Sequence, residues 1–233
     1  ETHNRIRGVK GNWDKSMETL QRLGELRAQR MERHRQGKGP KPNLRLMTLT
    51  CINNQNIGEI EALADHMEQY PELDGMTFEC LRGNPKDPSL APPTPEQFDR
   101  VIEMSMAVNS RLHERRFPEW RSQWLAFTRN LYRFQRSHIT TGKIPTTCQA
   151  GRGLAVIEPE GEVRLCELLD VVGDLRKEGL DWRKVWLGEK AAAQRKWIRE
   201  SRCSCTHCVN LGHTIDSSFK TRLRRKVDEM AMR

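Results

Sequence analysis

The chain has 233 residues, 40 Lys and Arg against 31 Asp and Glu, a formal net charge of +9 and 36% hydrophobic residues. That is apolar material for one large domain or one and a half smaller ones. No run approaches the ~20 apolar residues of a membrane span, and the opening "ETHNRIRG" shows no signal-peptide pattern. A cytoplasmic chain without a membrane partner is therefore expected. It opens on Glu1 rather than Met, which suggests a fragment or a trimmed product. Seven cysteines in a non-secretory chain argue for reduced thiols rather than a disulfide framework.

Asn12 is placed to cap a helix starting at Trp13, with Asp14 in its first turn. Trp13, Met17, Leu20 and Leu23 recur at helical spacing. The helix should end among Gly37, Gly39, Pro40 and Pro42. Basic residues concentrate in 27–41 and 220–226. Interleaved acids and the lack of an aromatic stacking platform favour solvated surface and a flexible loop over a nucleic-acid face. The β-rich run "LRLMTLTCI" (44–52) reads as a strand. A helix follows, capped by Asn56 and ended by Pro71, and then a second strand, "GMTFECL" (75–81). Helix, strand, helix, strand at about thirty residues per unit is the rhythm of βα crossovers on a parallel sheet. Two such units cannot close a barrel, so the strands are expected to need neighbours outside this chain.

Residues 82–95 form a proline-rich loop, ending in the capping box Thr94-Pro95-Glu96-Gln97. Helical sequence then runs to about His138 with a break near Pro118. Its stripe Trp120, Trp124, Phe127 and Leu131 is expected in a core. "LAVIEP" and "EVRLCEL" flank Glu160-Gly161, a hairpin signal. Residues 180–200 are helical, "SRCSCTHC" is a knot of thiols, and a basic tail closes the chain.

Five of the seven cysteines fall between residues 148 and 208. Folding the hairpin at its turn returns Cys166 toward Leu154, near Cys148, which is tethered through Gly151 and Gly153. Cys205 and Cys208 form a C-x2-C clip able to bind one metal ion or cluster. Four thiolates suit a structural zinc or an iron–sulfur cluster. Zinc ribbons usually join two close clips, whereas seventeen residues separate Cys148 from Cys166. Cys51 and Cys80, on the two strands, read as buried structural cysteines.

Cys148, twelve residues, Gly161, four residues, Cys166 resembles the C-x(9–15)-G-x4-C signature of SPASM and twitch domains. These follow the barrel of many radical S-adenosylmethionine (radical SAM) enzymes. "CQAG", "VIEPEGEVRLCE", "VGDL" and "CSCTHC" agree with it, and "LMTLTCINNQN" and "MTFECLRG" look like the fourth and fifth barrel strands. The resemblance covers residues 1 to about 212. It implies an α/β fold: the C-terminal part of a partial (β/α) TIM-like barrel, then a small α+β twitch/SPASM domain with a β-hairpin and a Cys cluster. The expected divisions are barrel 1–93, helical connection 94–140, auxiliary cluster domain 141–215 and basic tail 216–233.

Further expectations follow from the resemblance. Cys148, Cys166, Cys205 and Cys208 would hold one auxiliary [4Fe–4S] cluster in the single-cluster twitch form, and Cys203 could replace Cys205. The C-x3-C-x2-C loop of the radical-generating cluster and the glycine-rich SAM stretch do not occur in this chain. S-adenosylmethionine and a second [4Fe–4S] cluster would therefore belong to the intact enzyme, and the chain alone would be inactive. That enzyme would use a 5′-deoxyadenosyl radical to abstract a substrate hydrogen, and the auxiliary cluster would accept the electron left behind. A small-molecule or peptide substrate and an electron donor such as flavodoxin or ferredoxin are the implied partners. Arg7, Asn53 and Arg82 are the candidates for SAM or substrate contact, the last two because ligands in parallel α/β folds bind at the carboxyl ends of strands. His207, inside the cysteine group, could donate a hydrogen bond to a cluster sulfur. A zinc-binding, nucleic-acid-binding module is the alternative.

Overall fold

The structure is a computed structural model describing residues 1–83 and 85–232. The predicted loop 82–95 is described apart from residue 84, and the tail apart from residue 233. The chain divides into two compact units: Glu1–Leu81 with Ser89–Arg121, and Arg82–Pro88 with Ser122–Arg233.

The first unit begins with α1 (Thr2–Arg7) and α2 (Asn12–Arg35), followed by β1 (Met47–Ile52). A 3-10 turn at Ile57–Glu59 runs into α3 (Ile60–Glu68), then β2 (Gly75–Cys80) and α4 (Pro95–Arg116). β1 and β2 pair in parallel from Met47 opposite Gly75 to Ile52 opposite Cys80, so β1–α3–β2 is the expected crossover. Among the described residues this pair is the whole sheet, and a barrel is not seen. β2 is buried at nearly every position, whereas β1 alternates and exposes Met47 and Leu49. Ile52, Ile60, Leu73, Met76, Phe78, Phe98 and Leu112 are buried in this unit, each contributing about 1.5–3 kcal/mol by leaving water.

Polar side chains tie the strands in place. Asn109 of α4 accepts from the Met76 N–H and donates to the Met76 carbonyl, both at 2.8 Å, supplying β2 with the two bonds a neighbouring strand would offer. Asp74 accepts from the Leu46 N–H at 2.7 Å and from Arg27, clamping the entries to both strands. The predicted capping box is present, with Gln97 N–H on Thr94 Oγ1 at 3.3 Å and Gln97 Oε1 accepting from Thr94 N–H at 2.9 Å.

Several local expectations are corrected. α2 starts at Asn12 itself, and the Trp13 N–H is satisfied by Asn4 Oδ1 at 2.8 Å, a side chain from the preceding helix. Asn56 caps no helix with its side chain. It bonds Cys51 O and Asn53 N–H instead, both at 2.9 Å, because the chain first makes a 3-10 turn. α3 stops at Glu68, before Pro71. The end of α2 at Arg35, just before Gly37, is as expected, so the basic stretch 27–41 is partly helix and only its remainder is loop. Cys51 is exposed and only Cys80 buried, since β1 shows one face to solvent.

The second unit takes most of α5 (Pro118–Thr141), then β3 (Val156–Ile157), β4 (Glu162–Arg164), β5 (Val171–Asp174), α6 (Trp182–Leu187), α7 (Glu189–Glu200), α8 (Cys208–Ser217) and α9 (Phe219–Ala231). β3, β4 and β5 form an antiparallel sheet in that order. The predicted hairpin is its first half, turned at Gly161 with φ +96°. β5 extends it, and Gly173 lets α6 approach: a Cβ there would stand 2.7 Å from Val185 Cγ1. Gly188 divides the predicted 180–200 helix in two. The tail is largely helical. Of the predicted stripe, Leu131 is buried and Phe127 packs against a core cluster as expected, but Trp120 is 48% exposed, and Leu125 and Phe134 of α5 are buried besides. The buried stripe is rotated from the predicted one. Among the described residues no helix is long and apolar enough to cross a membrane.

Candidate metal centre

Two apolar clusters build the second unit. One gathers Cys148, Ala150, Val163, Leu165, Cys166, Val172, Val185, Ala191 and Ile198, with Cys203 packed against it. The other gathers Leu131, Phe134, Leu211 and Ile215, with Cys208 packed against it. Cys148 lies in the segment after α5, Cys166 follows β4 by two residues, Cys203 and Cys205 sit between α7 and α8, and Cys208 is the first residue of α8.

Each loop that carries a cysteine is fixed from outside. Gly151, at φ +73°, lies so close to Leu165 that a Cβ would fall 2.9 Å from the Leu165 Cβ. The Gly151 carbonyl accepts from Arg195 Nε at 2.6 Å, and Arg195 stacks on Trp186 with 4.3 Å to the ring centroid. Beyond Cys166, Arg164 holds the Leu169 carbonyl at 2.7 Å. α5 secures the 203–207 segment: Gln135 donates to Thr206 O, and His138 Nδ1 meets Ser204 Oγ, both at 2.8 Å. The Gln149 N–H donates to Thr214 Oγ1 of α8 at 3.0 Å.

The sulfurs act on one another. Cys148, Cys166, Cys203 and Cys205 lie near enough for their negative charges to repel. Burial, reinforced by that repulsion, pushes the Cys203 thiol up to about 12 and Cys205 up to about 11. Burial also raises Cys166. Grouped buried thiolates need a positive partner, which a metal core supplies. N–H groups are aimed at the same sulfurs: Asn210 Nδ2 at Cys166 Sγ (3.2 Å), Ala150 N at Cys148 Sγ (3.5 Å) and His207 N at Cys205 Sγ (3.4 Å). His207 is the N-cap of α8, so its amide and the positive end of the helix both favour anionic sulfur. Thiols are weak acceptors, and three N–H donors suit thiolates.

Among the described residues no three His, Cys, Asp or Glu side chains are gathered closely enough to hold a single metal ion. One zinc ion draws its sulfurs into one sphere, ~2.3 Å from the metal. A four-iron cluster gives each thiolate its own iron and tolerates wider spacing. The N–H donors aimed at Cys148, Cys166 and Cys205 suit the sulfurs of an iron–sulfur cluster.

Of the other candidates, Arg82 acts on this group, its positive charge favouring the thiolates of Cys166 and Cys205. Arg7 ends α1 in the first unit and lines, with Trp13, Leu20, Cys51 and Met67, a mainly apolar cavity of about 960 Å³. Asn53 is 1% exposed and shapes the turn after β1, its Oδ1 accepting from the Gln55 N–H at 2.9 Å. Arg82 belongs to the second unit and bonds Glu167 Oε1 through NH2 at 2.6 Å and Nε at 3.1 Å. Burial tends to raise the Glu167 carboxyl, but the Arg82 hydrogen bond and the interactions with His207 and Arg82 outweigh it and leave it lowered. His207 reaches sulfur through its backbone. Its ring spans Glu167 Oε1 at 3.1 Å and Asn210 at 2.7 Å. Sequence reasoning missed Asn210 and Glu167, whose one signal was adjacency to cysteines.

A family model described as SPASM, an iron–sulfur cluster-binding domain, matches residues 148–209. The match opens on Cys148 and closes one residue past Cys208. No curated protein and no solved structure matches the chain.

Proposed function

We propose that the second unit holds one auxiliary [4Fe–4S] cluster in a radical SAM enzyme. The observation that carries this is the SPASM match over a segment whose sulfurs are grouped and met by N–H donors. SPASM domains are typical of radical SAM auxiliary regions. Cys148, Cys166, Cys205 and Cys208 would be the ligands. Cys203, packed against Cys148 and Cys166, is the alternative to Cys205.

When bound, such a cluster supplies one-electron redox chemistry, tuned by hydrogen bonds and burial at its sulfurs. The chain's own residues seat the sulfurs, exclude water through Leu165, Val172 and Ile198, and aim the amides. In the intact cytoplasmic enzyme, SAM and a second [4Fe–4S] cluster would generate the 5′-deoxyadenosyl radical that takes a hydrogen from a small-molecule or peptide substrate. The auxiliary cluster would be the electron acceptor, and flavodoxin or ferredoxin the electron donor. The exposed residues of β1 accord with a sheet that continues in the intact enzyme as a TIM-like barrel.

The test is anaerobic purification of this chain with iron and sulfide reconstitution. A brown protein with about four irons per chain is expected. A colourless protein holding one zinc would overturn the proposal. Single Cys→Ser variants, scored by iron content, then name the four ligands.

A further inference from the structure

Four side chains form a continuous hydrogen-bonded line ending on a sulfur: Arg82, Glu167, His207, Asn210 and then Cys166 Sγ. His207 and Asn210 are 5% and 4% exposed. We infer that Asn210 is a positioning residue that sets the reduction potential of the cluster by donating its amide N–H to Cys166 Sγ, with Glu167 and His207 fixing the orientation of that amide. The inference rests on the cluster reading above.

The chemistry of the line runs one way. Glu167 offers only acceptors when ionised, so His207 Nε2 carries the proton that faces it. In the neutral imidazole Nδ1 is then a lone pair and accepts from Asn210 Nδ2. The second hydrogen of the same amide nitrogen is left for Cys166 Sγ. Turning the amide over would set Oδ1 against both the sulfur and the Nδ1 lone pair, so His207 holds Asn210 as a donor. Arg82 completes the line by holding Glu167 with two bonds to one oxygen. Gaining an electron adds negative charge, which spreads onto the sulfurs. A donor there stabilises the reduced state more than the oxidised one, so it raises the potential.

The experiment is a potentiometric titration of the reconstituted chain, followed by electron paramagnetic resonance. Asn210→Leu, close in volume and without a donor, should lower the ratio of reduced to oxidised cluster about tenfold at the wild-type midpoint, a downward shift of 59 mV for one electron. Asn210→Asp, which puts acceptors against the sulfur, should shift it the same way. An unchanged midpoint in a variant with full iron overturns the role of Asn210 and leaves the cluster assignment standing. A wild-type chain that takes up no iron overturns both. If neither variant loads iron, wild-type protein made with side-chain ¹⁵N-asparagine decides: spin-echo modulation of the reduced cluster should contain a ¹⁵N coupling, and its absence refutes the inference.

Discussion

The two units use cysteine differently. In the first, Cys80 closes β2 within an apolar layer, 1% exposed. Burial first, and then the charges of Cys51 and Glu79, push its thiol up to about 12. No N–H···S bond is seen at Cys80 among the bonds of the described residues, and it behaves as a small hydrophobe. In the second, Cys166 is similarly buried, yet it follows a strand, faces other thiols and receives a side-chain amide. Burial alone makes a thiol inert. Burial with converging N–H donors suits a thiolate that a metal can claim.

Cys148→Ser and Cys166→Ser should break the comparison most completely. Iron should fall from about four per chain to a small remainder. Hydrogen exchange should rise in the second unit and stay unchanged in the first. Equal loosening of both units would refute the division of labour. Next in size is Asp74→Ala in the first unit. Asp74 and Arg27 have side chains only 3% and 11% exposed, so the change leaves a buried guanidinium without its carboxylate, held only by the Leu44 and Glu72 carbonyls, and should cost about 3–5 kcal/mol. It should be read by denaturant melting, with iron content unaffected.

Gly151→Ala tests the seat of Cys148. A Cβ at φ +73° would meet Leu165 at 2.7 Å, and a loss of about 1–3 kcal/mol with slower cluster assembly is expected. Thr94→Ala removes the capping box of α4 and should cost the first unit about 1 kcal/mol. The smallest effect at neutral pH concerns His113. Burial, aided by Arg45 and opposed by Asp74, holds its imidazole below the ordinary 6.5. The unfolded chain therefore binds this proton more readily than the folded one. Stability of the first unit should fall as pH drops from 6.5 toward the lower folded value. His113→Leu should flatten that acid limb in melts across the range.

How legible each part was depended on whether its signal was local. Thr94 to Gln97 carries a complete cap in four residues, and it formed as expected. Gly161 between two β-rich runs marked the hairpin. The parallel pair followed from apolar runs separated by one helix. Asn12 and Asn56 had the composition of caps, yet Asn4 and a 3-10 turn took those roles, because the approaching chain decides which acceptor reaches an N–H first. β5 escaped notice since "VVGD" is short and its strand character comes from pairing with β4. Trp120 lies at the edge of a stripe whose buried direction was set by the partners of α5, not by periodicity.

By itself, the amino-acid order determined the spacing of Cys148, Gly161 and Cys166, the C-x2-C clip, the Thr94 capping box and the Gly161 turn, since each depends on a few neighbouring residues. Only the tertiary structure decided that Cys203 packs beside Cys148 and Cys166, that Arg82 meets Glu167, and that Asn210 aims its amide at Cys166. The last two pairs stand 85 and 44 positions apart along the chain. Contacts across such separations arise from the packing of whole elements, which no short stretch of sequence encodes.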